Sequence, residues 1–155
     1  MYLPLKLQLP AIFETIDDFR VVWFQDNNMQ NPSPHWHIMI PTADKPFFLV
    51  ALITSQYENM TRYYKNTKQP RAINSLVKIN NDEFSFLSKD SFINCNATEY
   101  LSDSELIHRV DEPIGFKLYP DKVPAYLKKN IVSAIVQSPL IPRFVGNIAK
   151  ASNPL

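Results

Sequence analysis

Two neighbouring stretches, Pro34–Ile40 (PHWHIMI) and Pro46–Thr54 (PFFLVALIT), decide the architecture. Both are rich in β-branched and aromatic residues, and the first is framed by Pro34 and Pro41, which close a strand because they cannot donate to a ladder. The second is apolar nearly throughout, so it reads as a central strand buried on both faces. The first alternates, which sets Trp36, Ile38 and Ile40 toward a core and His35 and His37 on the other side.

Working outward, Phe19–Phe24 (FRVVWF) reads as another strand, held between Asp17-Asp18 and Asp26-Asn27-Asn28. Downstream, Ser55–Asn74 is polar and rich in Tyr, Asn, Lys and Arg, the composition of a long surface excursion with some helix. Long ordered loops in small domains are often functional. Leu76–Ile79 and Ser91–Asn94 follow as strands with a turn at Asn80–Glu83, and Gly115–Tyr119 (GFKLY) alternates as one more.

Two helices have local signatures. Ser102 with Glu105 makes a capping box, and Pro113 ends that helix soon after Val110. The other begins near Pro124, sets Leu127, Ile131, Ala134 and Ile135 on one face, and stops at Pro139. The order predicts an antiparallel α+β domain, mainly β, with the last helix closing it. Met1–Pro10, interrupted by Pro4, Lys6, Gln8 and Pro10, does not read as a signal peptide.

Composition narrows the function classes. The 155 residues suit one domain, 1–155, and 45% hydrophobic with 20% charged residues is a globular balance. Only 2 glycines accompany 13 prolines, which excludes a Gly-rich phosphate loop. Cys95 stands alone, so neither an internal disulfide nor a cysteine-based zinc cluster can form. The net charge of +1 means that any nucleic-acid site must be a local patch. No apolar run approaches the ~20 residues of a membrane span. A cytoplasmic protein without membrane association is the expectation.

His35 and His37 are the most suggestive side chains. Two residues apart on a strand they share a face at ~7 Å, a spacing at which two imidazoles can act as acid and base across a phosphodiester, or share a metal. Strand histidines satisfied by backbone or solvent have the same pattern. Thr54, Ser55 and Gln56 end the buried strand, where hydroxyls and an amide can meet a phosphate or simply cap a turn. Tyr57, Arg62, Tyr63, Tyr64, Lys65, Lys68 and Arg71 interleave rings and cations as single-stranded nucleic acid requires. A solvated loop with its tyrosines packed back onto the protein would have the same composition. Lys89 and Ser91 form a second polar cluster.

In their order, Pro34–Ile40, Leu49–Gln56 (LVALITSQ), Phe86–Cys95 (FLSKDSFINC) and Val123–Ser138 resemble the PemK/MazF superfamily of toxin proteins. The resemblance spans residues 34–139 and implies a small SH3-like antiparallel β-barrel with a C-terminal helix, leaving 1–33 as an extension with one strand. Active members are metal-independent endoribonucleases that promote attack of a ribose 2′-hydroxyl on the scissile phosphate. The resemblance therefore implies an RNA-binding, RNA-cleaving protein without cofactor or metal, a homodimer, and an antitoxin partner.

Carried onto this chain, the catalytic candidates are His35, His37, Thr54 and Ser55. The RNA-binding candidates are Gln56, Arg62, Tyr63, Tyr64, Lys65, Lys89 and Ser91. The family's Arg-Pro and Gly-Glu have no counterpart, since the region reads Asn31-Pro32-Ser33-Pro34-His35. Either a histidine takes over the arginine's work or the fold is kept without cleavage. Two alternatives stand beside this reading: a non-catalytic barrel module that binds a protein, and a histidine-based metallohydrolase.

Overall fold

The computed structural model describes residues 3–153. Its frame is a six-stranded antiparallel sheet in the order β4-β5-β3-β2-β1-β6. The strands are β1 (Arg20–Gln25), β2 (Pro34–Pro41), β3 (Phe47–Thr54), β4 (Leu76–Ile79), β5 (Ser91–Ser102) and β6 (Phe116–Leu118). The helices are α1 (Leu5–Glu14), α2 (Tyr57–Asn66), α3 (Asp103–Arg109), α4 (Ala125–Gln137) and α5 (Arg143–Ser152), with a 3₁₀ turn at Pro70–Ser75. The chain is thus α+β around an antiparallel sheet. A closed barrel would pair β4 with β6; among the described residues these strands are the free edges of an open sheet.

Strand alternation sorts the side chains into two apolar layers. Val21, Ile38, Ile40, Leu49, Ala51 and Ile53 pack under Leu127, Ile131 and Ile135 of α4 and Val145 and Ala149 of α5. On the opposite face, Val22, Phe24, Met39, Phe48 and Val50 pack under Leu9 and Phe13 of α1 and Leu106 of α3. With helices over both faces, β3 is apolar throughout because neither of its sides meets water.

Two elements differ from expectation. The first ten residues include most of a helix, α1, despite Pro10 inside it. Leu9, Phe13 and Ile16 fall at helical spacing and are buried. Burial of three such side chains, ~1.5–3 kcal/mol each, offsets the ~3 kcal/mol that an internal proline costs. The prolines at 139 and 142 end α4 but also launch α5, with Pro142 at its N-cap. The one strand expected before residue 34 is β1, which pairs with both β2 and β6.

The two expected helices and their signals are present. The Ser102 hydroxyl accepts from the Glu105 N–H at 3.1 Å, and the Glu105 carboxylate accepts from the Ser102 N–H at 3.2 Å. β5 is longer than its sequence suggests and irregular, because Cys95–Thr98 stand opposite the single residue Ala51 of β3. That irregularity switches faces: Ile93 and Cys95 lie in the α4 layer, Leu101 in the α1 layer. Asn96 anchors it, donating to the Ala72 carbonyl and accepting from the Ser138 hydroxyl, both at 2.7 Å.

Candidate functional site: a cleft at one end of the sheet

β2 begins, β3 ends and β5 begins at the same end of the sheet. Continuing the printed β2–β3 register beyond His37 and Leu52 sets His35 across from Thr54. The loop 84–90 folds over this end, where Phe86 stacks on Trp36 with ring centroids 4.1 Å apart. The result is a shallow, open cleft of about 250 Å³. His35, Thr54, Ser55, Gln56, Lys89 and Ser91 all line it. Six residues singled out from the sequence therefore meet in one place, drawn from three separate segments.

Each polar group arrives partly engaged. The His35 ring Nδ1 lies 2.8 Å from the Ser33 carbonyl, and as a carbonyl can only accept, Nδ1 is the donor, which in the neutral form of the ring leaves the Nε2 lone pair free. The Thr54 hydroxyl oxygen accepts from the Gln56 N–H at 3.1 Å and keeps its own hydrogen to donate. The Ser91 hydroxyl donates to the Lys89 carbonyl at 3.2 Å and keeps acceptor capacity. The Gln56 amide oxygen accepts from Asn59 at 2.7 Å, leaving its NH₂ for a ligand. Lys89 is exposed and forms no ion pair among the described residues.

His37 is not part of this cleft, which corrects the expectation of two imidazoles side by side. Its ring is buried and stacked on Phe24, with centroids 4.2 Å apart. Its face of β2 lies beneath α1 and α3, so the strand spacing that pairs the two histidines also carries the second into a covered layer. Burial, reinforced by the charge of His35, pushes its pKa down to about 4 against the pull of Asp26. Its Nδ1 has no hydrogen-bond partner. At neutral pH His37 is an uncharged core residue.

The basic and aromatic segment divides likewise. Arg62 and Lys65 line a different hollow along α2, beside Tyr57 and Thr61. It adjoins the cleft through the Gln56–Tyr57 peptide, and Tyr57 stacks on Phe92 at 4.1 Å. Tyr63 is exposed. Tyr64 is buried against Ala72 and Leu76, and its hydroxyl accepts from the Asn94 amide at 3.1 Å, so it is a structural residue and not a stacking platform. Cys95 is wholly buried, and burial pushes its thiol up, away from nucleophilic use.

Sequence reasoning placed Trp36 in the core and passed over Phe86. Trp36 does pack against the α4 layer, half-buried, and its exposed part also lines the cleft together with Phe86 and Ser88. The available signal was the aromatic spacing of FSF at 84–86, which reads as loop until its rings are seen against Trp36 and Tyr119. Among the described residues no three His, Cys, Asp or Glu side chains are placed to hold a metal ion. No helix there is long and apolar enough to cross a membrane. No protein-family model matches the chain, and no curated protein matches it in sequence.

Proposed function

We propose that the cleft binds single-stranded RNA, and that the chain is a divergent PemK/MazF-like protein. The observation that carries this reading is the convergence of Thr54, Ser55, Gln56, Lys89 and Ser91 with His35 at one sheet end. One free cation, several neutral donors and flanking rings are the groups that a phosphate and its neighbouring bases require. Tyr57, backed by Phe92, offers an outer ring face, and Arg62 and Lys65 continue the cationic track along α2. The SH3-like barrel belongs to the same proposal, supported by the irregular β5, where an antiparallel ladder can bend. So do the homodimer, the antitoxin partner and the cytoplasmic address.

Binding is tested with a fluorescein-labelled RNA oligonucleotide against its duplex form. Lys89→Ala is expected to weaken single-strand binding about tenfold and to reduce the salt slope by about 0.7, the value for one phosphate contact. Equal affinity of wild type and Lys89→Ala, or no binding at low salt, rejects the proposal.

A second reading, RNA cleavage, is favoured by the tautomer of His35. Its free Nε2 can take the proton from a ribose 2′-hydroxyl as that oxygen attacks phosphorus. The bond to the 5′-oxygen then breaks, leaving a 2′,3′-cyclic phosphate, with Lys89 balancing charge on the phosphate. Water must protonate the departing 5′-oxygen, because His37 lies outside the cleft. Loss of a positioned acid costs typically 10²–10⁴-fold, so turnover should be slow. Cyclic-phosphate product formed in chelator and abolished by His35→Ala supports cleavage; binding with no product under single-turnover conditions removes it.

A further inference from the structure

A second hollow lies at the opposite end of β2 and β3, about 24 Å away by the rise of seven strand residues. It is more enclosed than the cleft, holds about 220 Å³, and is walled chiefly by Phe13, Phe47, Phe48, Pro41 and Pro46. An apolar cavity of ~150 Å³ accepts a benzene ring, whereas drug-sized ligands need ~300 Å³ or more. The space therefore suits one ring with a short substituent.

The rim adds charges of both signs. Lys45, Glu14 and Asp103 border the hollow. Lys45 and Glu14 are exposed, and neither has an ion-pair partner within 4.0 Å among the described residues. The Asp103 carboxylate accepts the Ser104 N–H with Oδ1, leaving Oδ2 free. A ligand carrying one charge would leave the opposite sign facing it. A zwitterion meets both.

We propose that this hollow binds a free aromatic amino acid, its ring against the wall that Phe13 and Phe48 form in edge contact, its α-carboxylate on Lys45 and its α-ammonium on Glu14 and Asp103. The site does not depend on what the cleft binds.

The test is titration of L-phenylalanine into the ¹⁵N-labelled full chain. Saturable amide shifts are expected around Phe13, Lys45 and Phe47 with a millimolar or tighter Kd, roughly what twelve heavy atoms support. Lys45→Met, an exposed substitution, should weaken binding about fivefold or more by removing the carboxylate's partner. Benzyl alcohol, the same ring without the zwitterion, should bind at least as much more weakly. Absence of saturable shifts, shifts confined to other regions, or equal affinity for benzyl alcohol and L-phenylalanine would overturn the assignment.

Discussion

His37 shows how one buried ring sets an acid limit on the whole protein. Its folded pKa of about 4 lies below the ordinary 6.5, so below pH 6.5 the unfolded chain takes up a proton that the folded chain refuses. Stability attached to this group is fully present above pH 6.5 and is lost as pH falls toward 4, by up to about 3 kcal/mol. Urea denaturation across that window is expected to show the loss in wild type and a shallower one in His37→Leu. Near pH 7 the variant should match or exceed wild type, since it removes a buried nitrogen without a partner. Parallel acid profiles for the two proteins would refute this account.

Asp26 and Arg109 are a second consequential pair. Arg109 donates to both oxygens of Asp26, at 3.1 and 2.6 Å, and to both oxygens of Glu99. Burial alone would raise the Asp26 carboxyl, but the hydrogen bond from Arg109, the Asn28 N–H and the arginine's charge outweigh it and hold it low. Arg109→Met leaves that carboxylate covered and unpaired, which is expected to cost about 3–5 kcal/mol in denaturant titrations. Asp26→Asn in the same background should restore part of the loss.

At the scale of elements, the cheapest test is the α3 cap. Ser102→Ala removes one of two reciprocal bonds, and a loss of about 1 kcal/mol is expected by thermal or chemical unfolding, with little change in the cleft. Asn96 is more demanding. It holds the irregular part of β5 to the 3₁₀ turn and to the end of α4 from a fully covered position. Asn96→Ala strands the Ala72 carbonyl and the Ser138 hydroxyl, at about 1–3 kcal/mol for each group left unsatisfied. Amide exchange should then accelerate in residues 70–79 before it does in β1 and β2. Uniform acceleration throughout the sheet would contradict that local role.

Across the whole molecule, the sheet depends on cover over both faces. Deleting residues 3–16 removes Leu9, Phe13 and Ile16 from the layer over Val22, Phe24 and Met39. The truncated chain is expected to bind a hydrophobic dye and aggregate, whereas Leu9→Ala, at ~2–5 kcal/mol, should stay folded but weakened. Folding of the truncated chain to a well-dispersed monomer would show that α1 is dispensable.

The strands around His35 and Thr54 were legible because period-two patterning and flanking turn formers are local properties, as were the capping box at Ser102 and the apolar stripe of α4. α1 was not, since Pro10 argues against a helix until the layer buried beneath it is known. α5 was hidden by the same residue type, read as a stop when Pro142 is also a start. At the candidate site, the sequence identified Thr54, Ser55, Gln56, Lys89 and Ser91 by type, but their meeting in one cleft is a matter of register and of the 84–90 loop. By itself the chain determined its strands, its caps and its polar inventory, because propensity and hydrogen-bonding capacity act over a few residues. Only tertiary structure decided which histidine keeps contact with water, since alternation gives His35 and His37 the same face, and helices from distant parts of the chain cover that face at His37 but leave the sheet end at His35 open.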